Sequence, residues 1–336
     1  MIKKPTFKNV NVLLADSDAC LAQAVMHNLR AMGFIHIHHV KNAPEAVKVI
    51  RTQAISFLIT EWDMKGSSGV ELVRFMRRSP ESPNRGLPII MLTGRGELSD
   101  VQAARDVGIT EFVVKPFSAQ TLYNRIEQIV DHPRPFVVAD QYVGPERRRR
   151  GLPPPGVDDR RVIKAISAAP SPAGYKKMPG MPPVVYAPDY SIRQSFGNKP
   201  LAGLITPNLL AEAQKAIDSL GEESLNWIRD DLATIKRSYE SLKTNYSAYA
   251  MEQIKEATLS IKARAGTFGY RMASDVARLL YLFVTMDFQP ANPRHLIVIE
   301  KHLQVLMVIF AQGIKEREGM GELLYAELER LISINK

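Results

Sequence analysis

Four short polar sets stand directly behind four apolar runs. They are Asp16-Ser17-Asp18 behind Val12-Leu13-Leu14, Glu61-Trp62-Asp63 behind Phe57-Leu58-Ile59, Thr93-Gly94 behind Ile89-Ile90-Met91-Leu92, and Lys115-Pro116 behind Phe112-Val113-Val114. Brought together, these carboxylates, one hydroxyl and one ammonium make an acidic pocket with a cation at its rim. Carboxylate oxygens so gathered are the kind of ligand that hard dications take.

Such a pocket needs elements that converge. The apolar runs read as buried strands, and between them lie helical spacings such as Leu21, Val25 and Leu29, or Leu72, Phe75 and Met76. Buried strands alternating with helices predict a doubly wound α/β domain, a five-stranded parallel sheet covered on both faces, over residues 1–130. Ligands of an open parallel sheet bind beyond the carboxyl ends of its strands, where all four polar sets fall.

The order of the sets, with gaps of 45, 32 and 22 residues from Asp16 through Glu61 and Thr93 to Lys115, resembles the receiver domain of two-component response regulators, a flavodoxin-like fold. The stretch Gly108-Ile109-Thr110-Glu111-Phe112-Val113-Val114-Lys115-Pro116-Phe117 carries the likeness furthest. A receiver takes a phosphoryl group from phosphohistidine onto an aspartate behind its third strand. Acids behind its first strand hold Mg²⁺, which neutralises the transferring group. The resemblance assigns the first acid to Asp16, the phosphate-holding hydroxyl and cation to Thr93 and Lys115, and the switch aromatic to Phe112. It places Glu61 at the phospho-acceptor position and Ser17 where the main Mg²⁺-ligating acid belongs.

Both of the last two depart from the family pattern. The additional methylene of Glu61 moves its carboxylate by roughly 1 Å, and such a misplacement alone can cost ~10²-fold in rate. Ser17 offers a neutral oxygen where a carboxylate would hold the metal. The resemblance therefore implies a receiver that is not phosphorylated at the usual site. Glu61 either imitates the phosphorylated state toward Lys115 and Thr93 or is an inert change in a docking domain. Residual Mg²⁺-dependent phosphorylation, with Asp63 or Asp18 restoring the metal site, is the alternative.

Residues 131–200 hold thirteen of the 22 prolines and predict a semi-extended linker. The linker also accounts for most of the net charge of +9: residues 134–177 carry ten Lys or Arg against four acids. Tyr142-Val143-Gly144-Pro145-Glu146 followed by Arg147, Arg148, Arg149 and Arg150 resembles tail segments of some bacterial receiver proteins. Its arginines are candidates for anionic ligands. Nucleic acid is disfavoured, because aromatic residues do not interleave the charges and no DNA-reading helix is recognisable.

Residues 201–336 are nearly free of proline and read as an all-α helical bundle that begins at Thr206-Pro207, with breaks at Pro290/Pro293 and Gly319/Gly321. Leu259-Ser260-Ile261-Lys262-Ala263-Arg264-Ala265-Gly266-Thr267-Phe268-Gly269 resembles the helix of histidine phosphotransfer domains, His-x-Leu-Lys-Gly-x-Ala with a later glycine. Lys262, Ala265 and Gly269 match it, and Leu259 replaces the histidine. His295 and His302 flank an apolar stripe and are expected to pack at its edge. His36, His38 and His39 lie in a strand-like run without further ligands for a zinc site.

One cysteine excludes an internal disulfide and fits a reducing compartment. Met1-Ile-Lys-Lys-Pro does not open a secretory signal, and no apolar run approaches the ~18 residues of a membrane span. The expectation is a cytoplasmic adaptor of two-component phosphorelay signalling, not an enzyme, requiring no cofactor but able to involve Mg²⁺. Its partners would be a histidine kinase, another receiver or a phosphotransfer protein. Further readings are a working phosphorelay protein, a nucleic-acid or anionic-ligand binder through Arg147 to Arg150, and a homo-oligomeric scaffold built on the helical domain.

Overall fold

A computed structural model describes residues 5–147, 184–186, 189 and 191–335. The chain forms two units: residues 1–114 with 119–214, and residues 115–118 with 215–336.

The first unit opens with β1 (Phe7–Ala15), α1 (Ala19–Met32), β2 (Phe34–Val40), α2 (Ala43–Thr52) and β3 (Phe57–Thr60). A short hairpin, β4 (Asp63–Met64) and β5 (Ser67–Ser68), leads into α3 (Gly69–Arg78). Then come β6 (Ile89–Thr93), α4 (Leu98–Val107), β7 (Glu111–Val114) and α5 (Ala119–Asp131). The five long strands pair in parallel in the order β2-β1-β3-β6-β7, which matches the expected α/β architecture. Every residue of β3 and β6 is buried, as a sheet covered on both faces demands. The core on one face gathers Leu13, Leu58, Met91, Leu72 and Met76.

The unit does not end with α5. β8 (Phe136–Val138) pairs antiparallel with β9 (Val143–Pro145) and with β10 (Val184–Tyr186), giving a second sheet with its own small core of Phe136, Val138, Val184 and Tyr186. After α6 (Ser191–Gln194), the ring of Phe196 meets those of Phe7 and Phe34 at 4.8 and 6.1 Å. The predicted linker over 131–200 is thus corrected at both ends. The described parts fold with the first unit because their apolar residues, few as they are, find partners there. Arg148, Arg149 and Arg150 lie outside the described residues.

Helix α7 (Pro207–Asp218) starts where the Thr206-Pro207 signal places it. The second unit follows: α8 (Gly221–Thr244), α9 (Ala248–Thr267), α10 (Arg271–Leu282), a π-helical turn (Phe283–Asp287), α11 (Arg294–Gln312) and α12 (Met320–Ile334). Helix α8 packs on α9, α9 on α10, α10 on α11, and α11 back on α8, so four helices close a ring, with α12 laid on α10 and α11. Ile235, Ile254, Ile261, Val276, Leu280, Ile299 and Leu306 fill its centre. Asp231 and Arg264 tie α8 to α9 through a mostly buried ion pair of 2.7 Å. By length and composition α11 would suffice to cross a membrane. Its Val298, Ile299, Leu303, Leu306 and Ile309 belong to the bundle core.

Candidate functional site

Each pocket residue of the first unit takes its place from a strand end. Asp16 follows β1 and is buried; its backbone N–H donates to Val40 O (3.0 Å), and its Oδ1 accepts the Asp18 N–H at 2.8 Å. His39 Nε2 lies 2.9 Å from Asp16 O, so this histidine of β2 serves the backbone of the pocket. Ser17 Oγ accepts the Lys65 N–H at 3.2 Å. Asp18 acts as the N-cap of α1, its Oδ1 accepting from Cys20 N and Leu21 N at 3.0 and 3.1 Å. A carboxylate there also complements the positive helix end.

Glu61 follows β3, half-buried, with its N–H donating to Ala15 O at 2.9 Å. Its Oε1 accepts the N–H of Trp62 at 2.6 Å. Glycine is required at 69, since a Cβ there would overlap the Glu61 carbonyl; the start of α3 thereby presses on the backbone of Glu61. Asp63 is exposed and bound to Arg95, Oδ2 to Nε 2.7 Å, while the guanidinium lies 5.5 Å from the centre of the Trp62 ring. Thr93 closes β6, buried, with its Oγ1 accepting the Arg95 N–H at 3.3 Å. Phe112 on β7 is half-buried against the core that holds Leu58 and Met91. Nothing in the sequence singles out Arg95; only its place in the loop behind Thr93 makes it a pocket residue.

No divalent-cation site is assembled among these residues. Among the described residues no three of His, Cys, Asp and Glu come together as a metal-binding group. Asp18 caps a helix, Asp63 is paired with Arg95, and position 17 has no carboxylate. Asp63, the metal candidate expected beside Asp16, is thus engaged by Arg95 in this structure. The three histidines of β2 belong to no such group either.

In the second unit, Lys115 is buried and leads into Pro116 through a cis peptide bond. Leu259 and Lys262 are half-buried on α9, and the Lys262 carbonyl accepts the Ser274 hydroxyl at 2.8 Å. Gly266, one turn further, has no room for a side chain: a Cβ there would stand 2.5 Å from Pro116 Cγ and 2.8 Å from Ser274 Oγ. His295 and His302 are not at the edge of their stripe but fully buried. His295 Nδ1 accepts the Gln289 N–H at 2.9 Å, and its Nε2 lies 2.7 Å from Asn335 O. His302 Nδ1 lies 2.7 Å from Val298 O, and burial lowers its pKa to about 4.

The candidate anion-binding run is seen only at Arg147. Its guanidinium pairs with Asp106 at 3.1 Å and covers the Tyr142 ring at 3.9 Å.

The response regulator receiver domain family matches residues 12–127. The chain is 27% identical to chemotaxis protein CheY-3 of Vibrio cholerae over 124 residues, which is 37% of this chain and 94% of that protein. It is 28% identical to chemotaxis protein CheY of Pseudomonas aeruginosa over 122 residues, 36% of this chain and 97% of that one. It is 33% identical to the phosphate regulon transcriptional regulatory protein PhoB of Rhizobium meliloti over 128 residues, 38% of this chain and 55% of that one. Among solved structures, a response regulator from Chloroflexus aurantiacus, described as putative, shares 28% identity at a TM-score of 0.33, over 37% of this chain and 97% of its own.

Proposed function

We infer, since residues 12–127 are a CheY-like receiver domain of a two-component response regulator, that the chain is an atypical response regulator. It acts in phosphorelay signalling as a cytoplasmic adaptor, by protein–protein contact and without catalytic turnover. Glu61 occupies the acceptor position and Ser17 weakens the metal site. The observation that carries this reading is the state of the acids: Asp18 is committed to capping α1 and Asp63 to Arg95, while the Glu61 carboxylate is held by the N–H of Trp62. A pocket so arranged keeps Thr93 as an anion-holding group and has no assembled divalent site.

The helical region reads as a degenerate phosphotransfer bundle. Its four-helix ring and the close packing at Gly266 support that reading, since small residues beside the phospho-position of such bundles let a receiver segment approach. With Leu259 in place of the histidine, this bundle binds partners and does not pass phosphate. The partners are other two-component proteins: a histidine kinase, a receiver or a phosphotransfer protein.

Incubation with acetyl phosphate and Mg²⁺, followed by a phosphate-affinity gel, tests the reading. The natural chain should run unshifted and the Glu61→Asp, Ser17→Asp double variant should shift. An acid-labile shift of the natural chain would establish a working phosphorelay protein instead.

A further inference from the structure

The segment Tyr142-Val143-Gly144-Pro145-Glu146-Arg147 takes no part in the pocket, yet it is built tightly into the first unit. A Cβ on Gly144 would stand 2.7 Å from the Gly108 Cα and 2.7 Å from the Tyr142 hydroxyl, and one on Gly108 would overlap the Val143 carbonyl. Strand β9 therefore lies directly on the turn between α4 and β7, at a separation that only two glycines allow. Gly108 is also the left-handed cap of α4, with φ +98°, so the turn and the contact make the same demand on it.

Beneath this contact lies Arg77 of α3, a fully buried cation. Its Nε donates to Gly108 O at 2.8 Å and its Nη1 to Leu87 O and Arg85 O at 2.8 and 2.6 Å, while its guanidinium faces the Phe136 ring of β8 at 5.4 Å. Around the rim, Arg147 pairs with Asp106 on the last turn of α4 and stacks on Tyr142. The Tyr142 hydroxyl donates to Pro145 O at 2.6 Å, and Arg78 donates to Gln141 O. Arg134 donates to Thr110 O and, at 2.8 Å, to Glu146 O. The β8–β9 hairpin thus grips α3, the end of α4 and the start of β7 at separate points.

Helix α4 has only ten residues, and its other end leaves the loop that carries Thr93 and Arg95. It is a short helix, with the pocket loop at one end and the hairpin at the other. We propose that residues 134–147 are a strap that locks the C-terminal turn of α4, so that the hairpin and this helix open and close as one unit. The strap acts by packing and does not depend on whether Glu61 accepts phosphate.

Hydrogen exchange read by mass spectrometry on the full chain tests it. In the natural protein, amides 136–138 and 143–144 should be protected together with those of α4. Gly144→Val, which cannot dock, should speed exchange at least tenfold in 136–145 and also in 101–111, while β1 and β3 keep their protection. Faster exchange confined to 136–145 would overturn the proposal, and so would a hairpin unprotected in the natural chain. Should Gly144→Val unfold the whole unit, Arg147→Ala replaces it, since this change removes the Asp106 pair and the Tyr142 stack without overlap. Exchange several-fold faster in 101–108 supports the strap, and unchanged exchange there overturns it.

Discussion

Arg95 meets Asp63 through a 2.7 Å ion pair, and the same guanidinium lies 5.5 Å from the centre of the Trp62 ring. The acid one residue past Trp62 is therefore engaged by a cation that the chain itself supplies. Half-exposed pairs of this kind contribute about 0–1 kcal/mol to stability, so the pair matters for what the pocket binds more than for folding.

The first prediction concerns Mg²⁺. In a Trp227→Phe background, which leaves Trp62 as the one remaining tryptophan, millimolar Mg²⁺ should leave the emission unchanged. Arg95→Ala combined with Ser17→Asp should introduce a saturable change. A saturable response in the parent protein would show that the acids present already suffice.

Gly266 sets a steric test in the second unit. Valine there would bring a Cβ to 2.5 Å from Pro116 Cγ and must displace the ring or the helix. Overpacking of this kind costs about 1–3 kcal/mol. Urea unfolding should register that loss for Gly266→Val; a midpoint equal to that of the natural chain would count against so close an approach.

His302 gives a pH dependence with a definite sign. Its folded pKa of about 4 lies below the usual 6.5 because burial disfavours the charged ring. Between these values the unfolded chain binds more protons, so stability is full above pH 6.5 and falls as pH drops toward 4. The shift corresponds to a loss of roughly 3 kcal/mol. Stability measured by denaturant at stepped pH should decline over that window in the natural chain and decline less in His302→Leu. Parallel curves would remove His302 as the cause.

Arg77 is expected to be costly to replace. Arg77→Ala leaves the carbonyls of Gly108, Leu87 and Arg85 without their donor and should destabilise the first unit by about 4 kcal/mol or more. Arg77→Lys should recover little, since one ammonium cannot reproduce the geometry of a fork that serves three carbonyls. Thermal unfolding of the two variants decides the matter.

Much of the receiver was legible because its strands are continuous apolar runs and its pocket residues sit at their ends; Asp16, Glu61 and Lys115 directly follow strands and Thr93 closes one. The partners of those residues were hidden. Asp18 reads as a pocket acid, but three residues of helix start turn it into a cap. Arg95 carries no mark until the β6–α4 loop brings it to Asp63. The hairpin was invisible for a different reason. Its strands have three residues each, too few for a periodic signal, and half of its small core comes from Val184 and Tyr186, far along a proline-rich segment. The two histidines of α11 look like edge residues in a linear stripe, and only the closing of the helical ring and the seating of Asn335 enclose them.

Strand β10 has one more implication. It pairs with β8 although residues 146–183 separate it from β9, so both ends of that stretch are stitched into one sheet. A backbone nick introduced anywhere between them would not free the downstream half. The two fragments would share the β8–β10 ladder and the ring contacts of Phe196, and should co-elute as a single non-covalent particle.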